Sequence, residues 1–432
     1  IPSLFFCFSL FTLYFFFRSF LVCMSSTLIF SFSDFPSTQL ARHLTKSTIQ
    51  NGYIPEEQYG FRAEHSCSDL VYTVLGTAMN ANNNRETLHF LQTDIAGAFD
   101  RVDRAQLKLR LKEAGIHGKL LQLLSSYLTE RSFNVRLSGS QSQSFPLDIG
   151  VVQGSGLGPV MWNIYFSLVF DATGCQGIGF ADDLNIFATS NAALEEIRTR
   201  VIESCRTARI TMEPAKEQLT VFYPPRHPQR REQDSTHLVG IQIDPSLNME
   251  DHIKKVTQGA RVARTQLIRL KPYCTDQQLL TMYKTLIWTR LEIGNVCISH
   301  ASETHQNKLD AFQNSTMRML GIQDPRIDNI KTRRQTAHAA MLYKQTVLEQ
   351  GPSFIRRAFP VDNTDQRSQL RRASTVRHQH QLKITHSRNS LQKYEKFCSP
   401  LKTFNNFPCE LFPENPNIKT FKKNSVMHFH HH

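Results

Sequence analysis

No two of the nine cysteines form a CxxC pair, and Cys398 and Cys409 stand too far apart to open a zinc knuckle. That excludes a structural zinc module and a disulfide framework. It leaves the thiols isolated, reduced and mostly buried, as in a cytosolic or nuclear protein. Acidic side chains are also short: 37 Asp and Glu face 50 Lys and Arg, for a net charge of +13 and a pI near 9.4. The deficit says little about fold and points to a polyanionic partner, nucleic acid foremost. It is local, because Lys331 to His432 holds eighteen Lys and Arg against six Asp and Glu. Such a tail is either a solvated, partly disordered segment or a nucleic-acid site. The terminal tract from Met427 to His432 is an isolated histidine cluster on a chain end, a tag remnant or an accident more than a metal site.

Charge is nearly absent from Ile1 to Phe35, a stretch crowded with Phe, Leu and Ser whose only charges are Arg18 and Asp34. Hydropathy alone suggests a signal peptide or membrane helix. However, the sequence begins with Ile, and Phe, Leu and Ser share pyrimidine-rich codons. The stretch therefore reads as a translated non-coding or truncated end, with Met24 as a start, and no membrane partner is expected.

At 432 residues the chain has room for two or three domains. From Gln39 to about Gly76 the pattern is helical, broken by the turn at Asn51-Gly52 and the loop Gln58–Arg62. Leu88 to Asp94 suits a buried strand. Asp103 to Ala114 and Leu120 to Leu128 read as helices, with Gly115 as a stop. Phe133 to Leu137 and Ser144 to Gly150 look like strands around a turn at Ser138 to Ser140. A Gly-rich turn, Gln153 to Pro159, leads into an apolar helix from Val160 to Phe170. Two apolar arms, Gly177–Phe180 and Leu184–Ala188, meet at Asp182-Asp183, which predicts a β-hairpin with two carboxylates at its tip. Ala192 to Ala208 is an amphipathic helix, and Leu219 to Tyr223 a strand. After Asp244 the character becomes almost purely helical: Asp251–Leu270, a helix opened by a capping box at Thr275–Gln278, and Glu303–Leu320. Strands with helices, then helices alone, predict an α+β domain followed by an all-α one. Beyond Gly351 periodicity fades.

Phosphoryl transfer from a nucleotide requires carboxylates from at least two elements, so that divalent cations sit between them. Mg²⁺ prefers hard oxygen ligands and keeps several waters, so two or three Asp suffice. Asp94 at a strand end and Asp182 and Asp183 on a hairpin form such a set, provided their strands are neighbours. An Asp-Asp turn alone is usually only a solvated turn. Here five blocks occur in order: Gln58-Tyr-Gly-Phe-Arg62, Asp94-Ile-Ala-Gly-Ala-Phe-Asp100, Gln153-Gly-Ser-Gly-Leu-Gly-Pro159, Phe180-Ala-Asp-Asp183 and Glu213-Pro-Ala-Lys216.

This series resembles the ordered motifs of LINE-type (non-LTR) retrotransposon reverse transcriptases, from about Leu40 to Asp324. The resemblance implies an α+β right-hand polymerase palm with partial fingers, followed by an α-helical thumb. The implied segments are 1–38 (the Phe-rich stretch), 39–245 (partial fingers and palm), 246–325 (thumb) and 326–432 (a basic, partly disordered extension). It implies RNA-directed DNA synthesis with two Mg²⁺ ions, or Mn²⁺ in their place, held by Asp94, the Ile95 main chain, Asp182 and Asp183. Lys216 would protonate or neutralise the pyrophosphate leaving group. Arg62 would clamp the triphosphate with its planar fork. Phe99 would sit beneath the incoming sugar and exclude a 2′-hydroxyl; its other reading is core packing. Gln153 and Gly154 would border the template base pair. His237–Gly240 resembles the primer grip, and Lys254, Lys255, Arg261, Arg264 and Arg269 would follow the backbone of a hybrid duplex.

The implied partners are an RNA template, a DNA primer and deoxynucleotides, in nucleus or cytoplasm. Val152 stands where the family has Pro, and Phe180 where it often has Tyr. Neither the family's endonuclease nor an acidic set for RNase H is evident, and the family's upstream fingers are replaced by the Phe-rich stretch. Three rivals follow: an RNA-templated RNA polymerase, against which Phe99 argues, a catalytically inactive nucleic-acid-binding remnant, and a membrane-anchored protein, which rests only on the first 35 residues.

Overall fold

The computed structural model describes residues 35–431, except 138, 325–326, 359–379, 381, 383–400 and 402. The Phe-rich stretch 1–34 and much of the basic segment thus lie outside the described residues.

In chain order the elements are α1 (Phe35–Gln50), α2 (Cys67–Asn83), β1 (Leu88–Thr93), α3 (Arg104–Glu113), α4 (Gly118–Leu128), β2 (Ser132–Phe133), β3 (Arg136–Leu137), β4 (Ser140–Gln141) and β5 (Phe145–Pro146). Then come α5 (Gly158–Thr173), β6 (Gly177–Phe180), β7 (Asp183–Ala188), α6 (Asn191–Thr207), β8 (Gln218–Phe222), β9 (Thr236–Leu238) and β10 (Ile241–Ile243). Helices follow: α7 (Glu250–Leu270), α8 (Asp276–Tyr283), α9 (Thr289–Glu292), α10 (Asn295–Ile298), α11 (Glu303–Leu320), α12 (Ile330–Thr346), α13 (Ser353–Ala358) and α14 (Ile418–His431). Packing divides the described residues into two units, those up to 53 with 97–165 and those of 54–96 with the ones from 166 onward.

In the first unit, Asp103 caps α3 by accepting from the Gln106 amide at 2.8 Å, and Leu107 and Leu111 are its buried face. Gly115, at φ +82°, ends the run as expected. The two strands expected at 133–137 and 144–150 are corrected to two-residue pairs, β2 with β5 and β3 with β4. These pairs carry no buried residue, so no packed face extends them, and Pro146 offers no amide to a longer ladder.

The second unit holds a four-stranded antiparallel sheet in the order β6-β7-β1-β8. Alternation along β1 sends Leu88 and Phe90 into the core they share with Leu70, Val74 and Leu75 of α2. Phe90 lies between Phe187 and Phe222, at ring distances of 5.3 and 6.2 Å. The same core continues through Ile253, Val256, Ala260 and Leu267 of α7 to Leu309 of α11, Leu342 of α12 and Phe421 of α14. The capping box on α8 forms as the sequence predicts.

Past Gly351, where periodicity fades, the described residues still pack. Phe404 and Phe421 are fully buried, and Phe421 stacks on Tyr343 at 4.1 Å. Among the described residues no helix is long and apolar enough to cross a membrane. The expectation that the thiols are mostly buried is corrected. Of the six described, all are free, but only Cys205 and Cys297 are buried, and Cys175 and Cys409 are exposed. Cys175 sits in the turn that follows α5, and Cys409 opens a single 3-10 turn, Cys409–Leu411.

Candidate active site

The sheet brings the carboxylates together through register. Phe180 pairs with Asp183, so Ala181 and Asp182 form a two-residue turn whose first position, Ala181, has φ +61°. Asp183 is thus the first residue of β7 rather than the tip itself. On the adjoining strand the last pair is Thr93 with Leu184, reinforced by the Thr93 hydroxyl donating to the Leu184 carbonyl at 3.0 Å. One step further, the same register sets Asp94 opposite Asp183.

Beyond the sheet, the Ala96 amide donates to the Thr211 carbonyl at 2.9 Å, and the Glu213 amide to the Asp94 carbonyl at 3.0 Å. Ile95 sits between these bonds as a bridge partner of Met212. In such a non-hydrogen-bonded pair its own amide and carbonyl turn to the other edge, the side from which β7 comes. The segment after Glu213 then carries Lys216, whose Nζ lies 2.7 Å from Asp94 Oδ2.

The electrostatics follow from this crowding. Burial raises Asp183 to about 6, and the charges of Asp182 and Asp94 add to the shift. Burial also raises Asp182, with a further push from Asp94; its own backbone amide and Lys216 oppose the rise. Hard oxygen donors crowded in this way form a set that a divalent cation would relieve. Among the described residues, no group of three or more His, Cys, Asp or Glu stands ready to hold a metal ion; in this arrangement the cation at Asp94 is Lys216.

Arg62 is held within its own loop. Its Nη1 donates to the Pro55 carbonyl at 2.7 Å and to the Ile54 carbonyl at 3.5 Å, so the guanidinium is tied to its own loop. Burial lowers its pKa. Of the five basic residues expected along α7, Lys255, Arg261 and Arg269 are exposed. Lys254 pairs with Glu250 at 3.0 Å and Asp251 at 3.5 Å, and Arg264 lies over the Phe312 ring at 4.7 Å. The His237–Gly240 segment lies in the β9–β10 hairpin, and the Gln92 side chain donates from Nε2 to the His237 carbonyl at 2.9 Å.

In the first unit, Phe99 is half-buried and stacks on fully buried Trp162 at 5.5 Å. Its carbonyl accepts from the Val151 amide at 2.9 Å, which fixes the entry to the Gly-rich turn. The Gln153 side chain donates from Nε2 to Asp100 Oδ1 at 2.7 Å. Gly154 has φ +81° and open space around a would-be Cβ, so its conformation rather than close packing demands glycine. Gly158 is the reverse case, because a Cβ there would lie 2.9 Å from the Val152 carbonyl.

Sequence reasoning noticed the Gln58–Arg62 block but missed the residue in it that reaches the hairpin. Gln58 is 1% exposed. Its Nε2 donates to the Ala181 carbonyl at 2.9 Å, and its Oε1 accepts from the Ala181 amide at 3.0 Å. A glutamine at the head of the Gln-Tyr-Gly-Phe-Arg block was the available signal, without a partner to attach it to.

Residues 37–243 match the family described as reverse transcriptase (RNA-dependent DNA polymerase). Every site residue named above from Arg62 to Lys216 falls inside that segment. The chain is 26% identical over 292 residues to a probable RNA-directed DNA polymerase from transposon X-element of Drosophila melanogaster, covering 62% of this chain and 32% of that one. It is 25% identical over 297 residues to the RNA-directed DNA polymerase from mobile element jockey of the same fly, with the same coverage, 62% and 32%. Among solved structures, apo telomerase from Candida tropicalis aligns with 76% of this chain and 60% of its own at 10% identity, with a TM-score of 0.41, too low to carry an argument. The chain spans about a third of the length of the curated relatives it matches. Residues 37–243 thus carry a reverse transcriptase domain, and over 62% of its length the chain is similar to RNA-directed DNA polymerases of Drosophila mobile elements.

Proposed function

We propose that the chain extends a DNA primer on an RNA template: the primer 3′-oxygen attacks the α-phosphate of a deoxynucleotide, and pyrophosphate leaves. The observation that carries this reading is the meeting of Asp94, Asp182 and Asp183 at one end of two adjacent antiparallel strands, inside the matched segment. Asp94, Asp182 and Asp183, with the Ile95 main chain, would hold two divalent cations, Mg²⁺ or Mn²⁺. When bound, these supply Lewis-acid stabilisation of the charge that develops on the transferring phosphoryl group.

The remaining work belongs to the chain's own groups. Lys216, with its side chain 61% exposed, has the reach to leave Asp94 for the departing pyrophosphate, where an ammonium neutralises or protonates it. Arg62 would leave its loop carbonyls for the triphosphate. Phe99, held flat by Trp162, would set a wall against a 2′-hydroxyl. Lys255, Arg261 and Arg269 on α7 present exposed positive charge for a phosphate backbone.

The test is primer extension on an RNA template with the wild type and Asp182→Asn, alongside hybrid-duplex binding on the same preparations. Extension is expected to vanish in the variant, with binding changed less than about twofold, because the carboxylate serves chemistry and the cations serve affinity. A variant that extends as well as wild type removes Asp182 from the site. A wild type that binds duplex without extending it makes the chain a binding remnant.

A further inference from the structure

We infer that Gln58 is a positioning residue that sets the geometry of the Asp182–Asp183 hairpin; its kinetic consequence rests on the polymerase reading above. The turn that carries the two carboxylates has a weakness built into its sequence. Its first central residue must adopt positive φ, a position glycine normally fills, and here it is Ala181 at φ +61°. A side chain there disfavours that backbone region, so something outside the hairpin must hold it.

Gln58 does so with both ends of one amide, a donor to the Ala181 carbonyl at 2.9 Å and an acceptor from the Ala181 amide at 3.0 Å. The glutamine is fixed in turn: its Oε1 also accepts from the Gly60 amide at 2.8 Å. Its backbone neighbours pair with β6, the Tyr59 amide to the Gly179 carbonyl at 2.8 Å and the Gly179 amide to the Glu57 carbonyl at 2.9 Å. Residues 57–60 thereby form a short parallel addition to the edge of β6, delivering the amide to a point 123 residues away in sequence. No charged or shorter side chain reproduces this. Glutamate lacks the donor, and asparagine lacks the reach to serve both groups.

The experiment uses the full chain with Gln58→Leu, alone and combined with Ala181→Gly. Steady-state extension and backbone amide exchange across residues 177–186 are measured together. Gln58→Leu should lower kcat at least tenfold, leave duplex Kd within about twofold, and accelerate exchange at the hairpin tip more than in β1. Ala181→Gly in that background should restore part of kcat and of protection, since glycine adopts positive φ without help. Uniform loss of stability, with no local change at the tip and no recovery from Ala181→Gly, would overturn the inference.

Should Gln58→Leu fail to fold, the wild-type Ala181 amide decides. Exchange as slow as that of β6 amides supports the clamp, and free exchange refutes it. A wild type inactive in extension would sink the polymerase reading alone, because the exchange measurements judge the clamp without catalysis.

Discussion

Replacing Gly60 by alanine should disable the chain through a collision that no side-chain rotation can relieve. A Cβ at this position would lie 2.1 Å from the Ala181 nitrogen, 2.7 Å from its Cα and 3.0 Å from the Phe180 carbonyl carbon. Ordinary contact begins near 3.4 Å, so the hairpin must retreat by roughly 1 Å. All three atoms are backbone of the turn that carries Asp182 and Asp183. A retreat of that size stretches both Gln58 contacts past hydrogen-bonding distance.

Overpacking costs about 1–3 kcal/mol, and two lost hydrogen bonds add about 1 kcal/mol each, for a total of about 4 kcal/mol. A displacement of about 1 Å at reacting groups lowers kcat by about a hundredfold. Gly52→Ala is the control. Its φ of +69° strains any side chain, but nothing lies within 4 Å, so it should cost about 1–2 kcal/mol and leave kcat within about twofold. Denaturant unfolding and primer extension on matched preparations read both quantities. Wild-type kcat in Gly60→Ala would refute the proposition that the Gln58–Arg62 loop and the hairpin are one mechanical unit.

Phe99→Val should raise the use of ribonucleotides relative to deoxynucleotides by about tenfold, about 1.4 kcal/mol of lost exclusion; an unchanged efficiency ratio makes Phe99 a packing residue on Trp162. Phe421→Ala removes a fully buried ring stacked at 4.1 Å on Tyr343 and should cost about 3–4 kcal/mol in denaturant unfolding. A loss below about 1 kcal/mol would mean that α14 does not belong to the core. Asp183→Asn should raise the melting temperature at pH 7.5. The folded pKa is raised to about 6, so the charged carboxylate penalises the fold above that pH, and the gain should shrink as pH falls toward 4. A gain that does not change with pH would show that relief of charge is not its source.

The sheet and its site were legible because they are local patterns. Short apolar runs identified β1 and the two arms around Asp182-Asp183, and the pairing of β1 with β7 supplies the neighbourhood of strands that the Asp94 reading required. The helices of the second half announced themselves by spacing and by the capping box at Thr275. What escaped detection depends on contacts between distant residues. Gln58 is an ordinary polar residue until Ala181 stands beside it, and nothing near either residue in sequence encodes the other.

The packing of the late segment was invisible for another reason. Phe404, Phe407, Phe412 and Phe421 follow neither a helical nor a strand period, yet they meet in one cluster around Tyr343. A high density of basic residues read as a solvated extension while its aromatic residues were filling a core. The glycines of the Gln153–Pro159 turn also had mixed reasons, conformation at Gly154 and close packing at Gly158, which composition cannot separate.

The placement of Lys216 ties the stability of the site to its proposed use. Three carboxylates gathered at one end of a sheet oppose folding, and the raised pKa of Asp182 and Asp183 is the visible sign of that opposition. The ammonium 2.7 Å from Asp94 offsets part of it. Asp94 itself is anchored through its carbonyl to Glu213, three residues before Lys216, so the cation and its partner arrive on one locally tethered segment. A lysine suits both duties better than arginine. Its point charge on a flexible stem gives up one partner for another without losing a bidentate geometry. The exposed stem of Lys216 leaves it that freedom. The same residue therefore balances charge at Asp94 in this structure and, in the proposed reaction, follows the negative charge to the departing pyrophosphate.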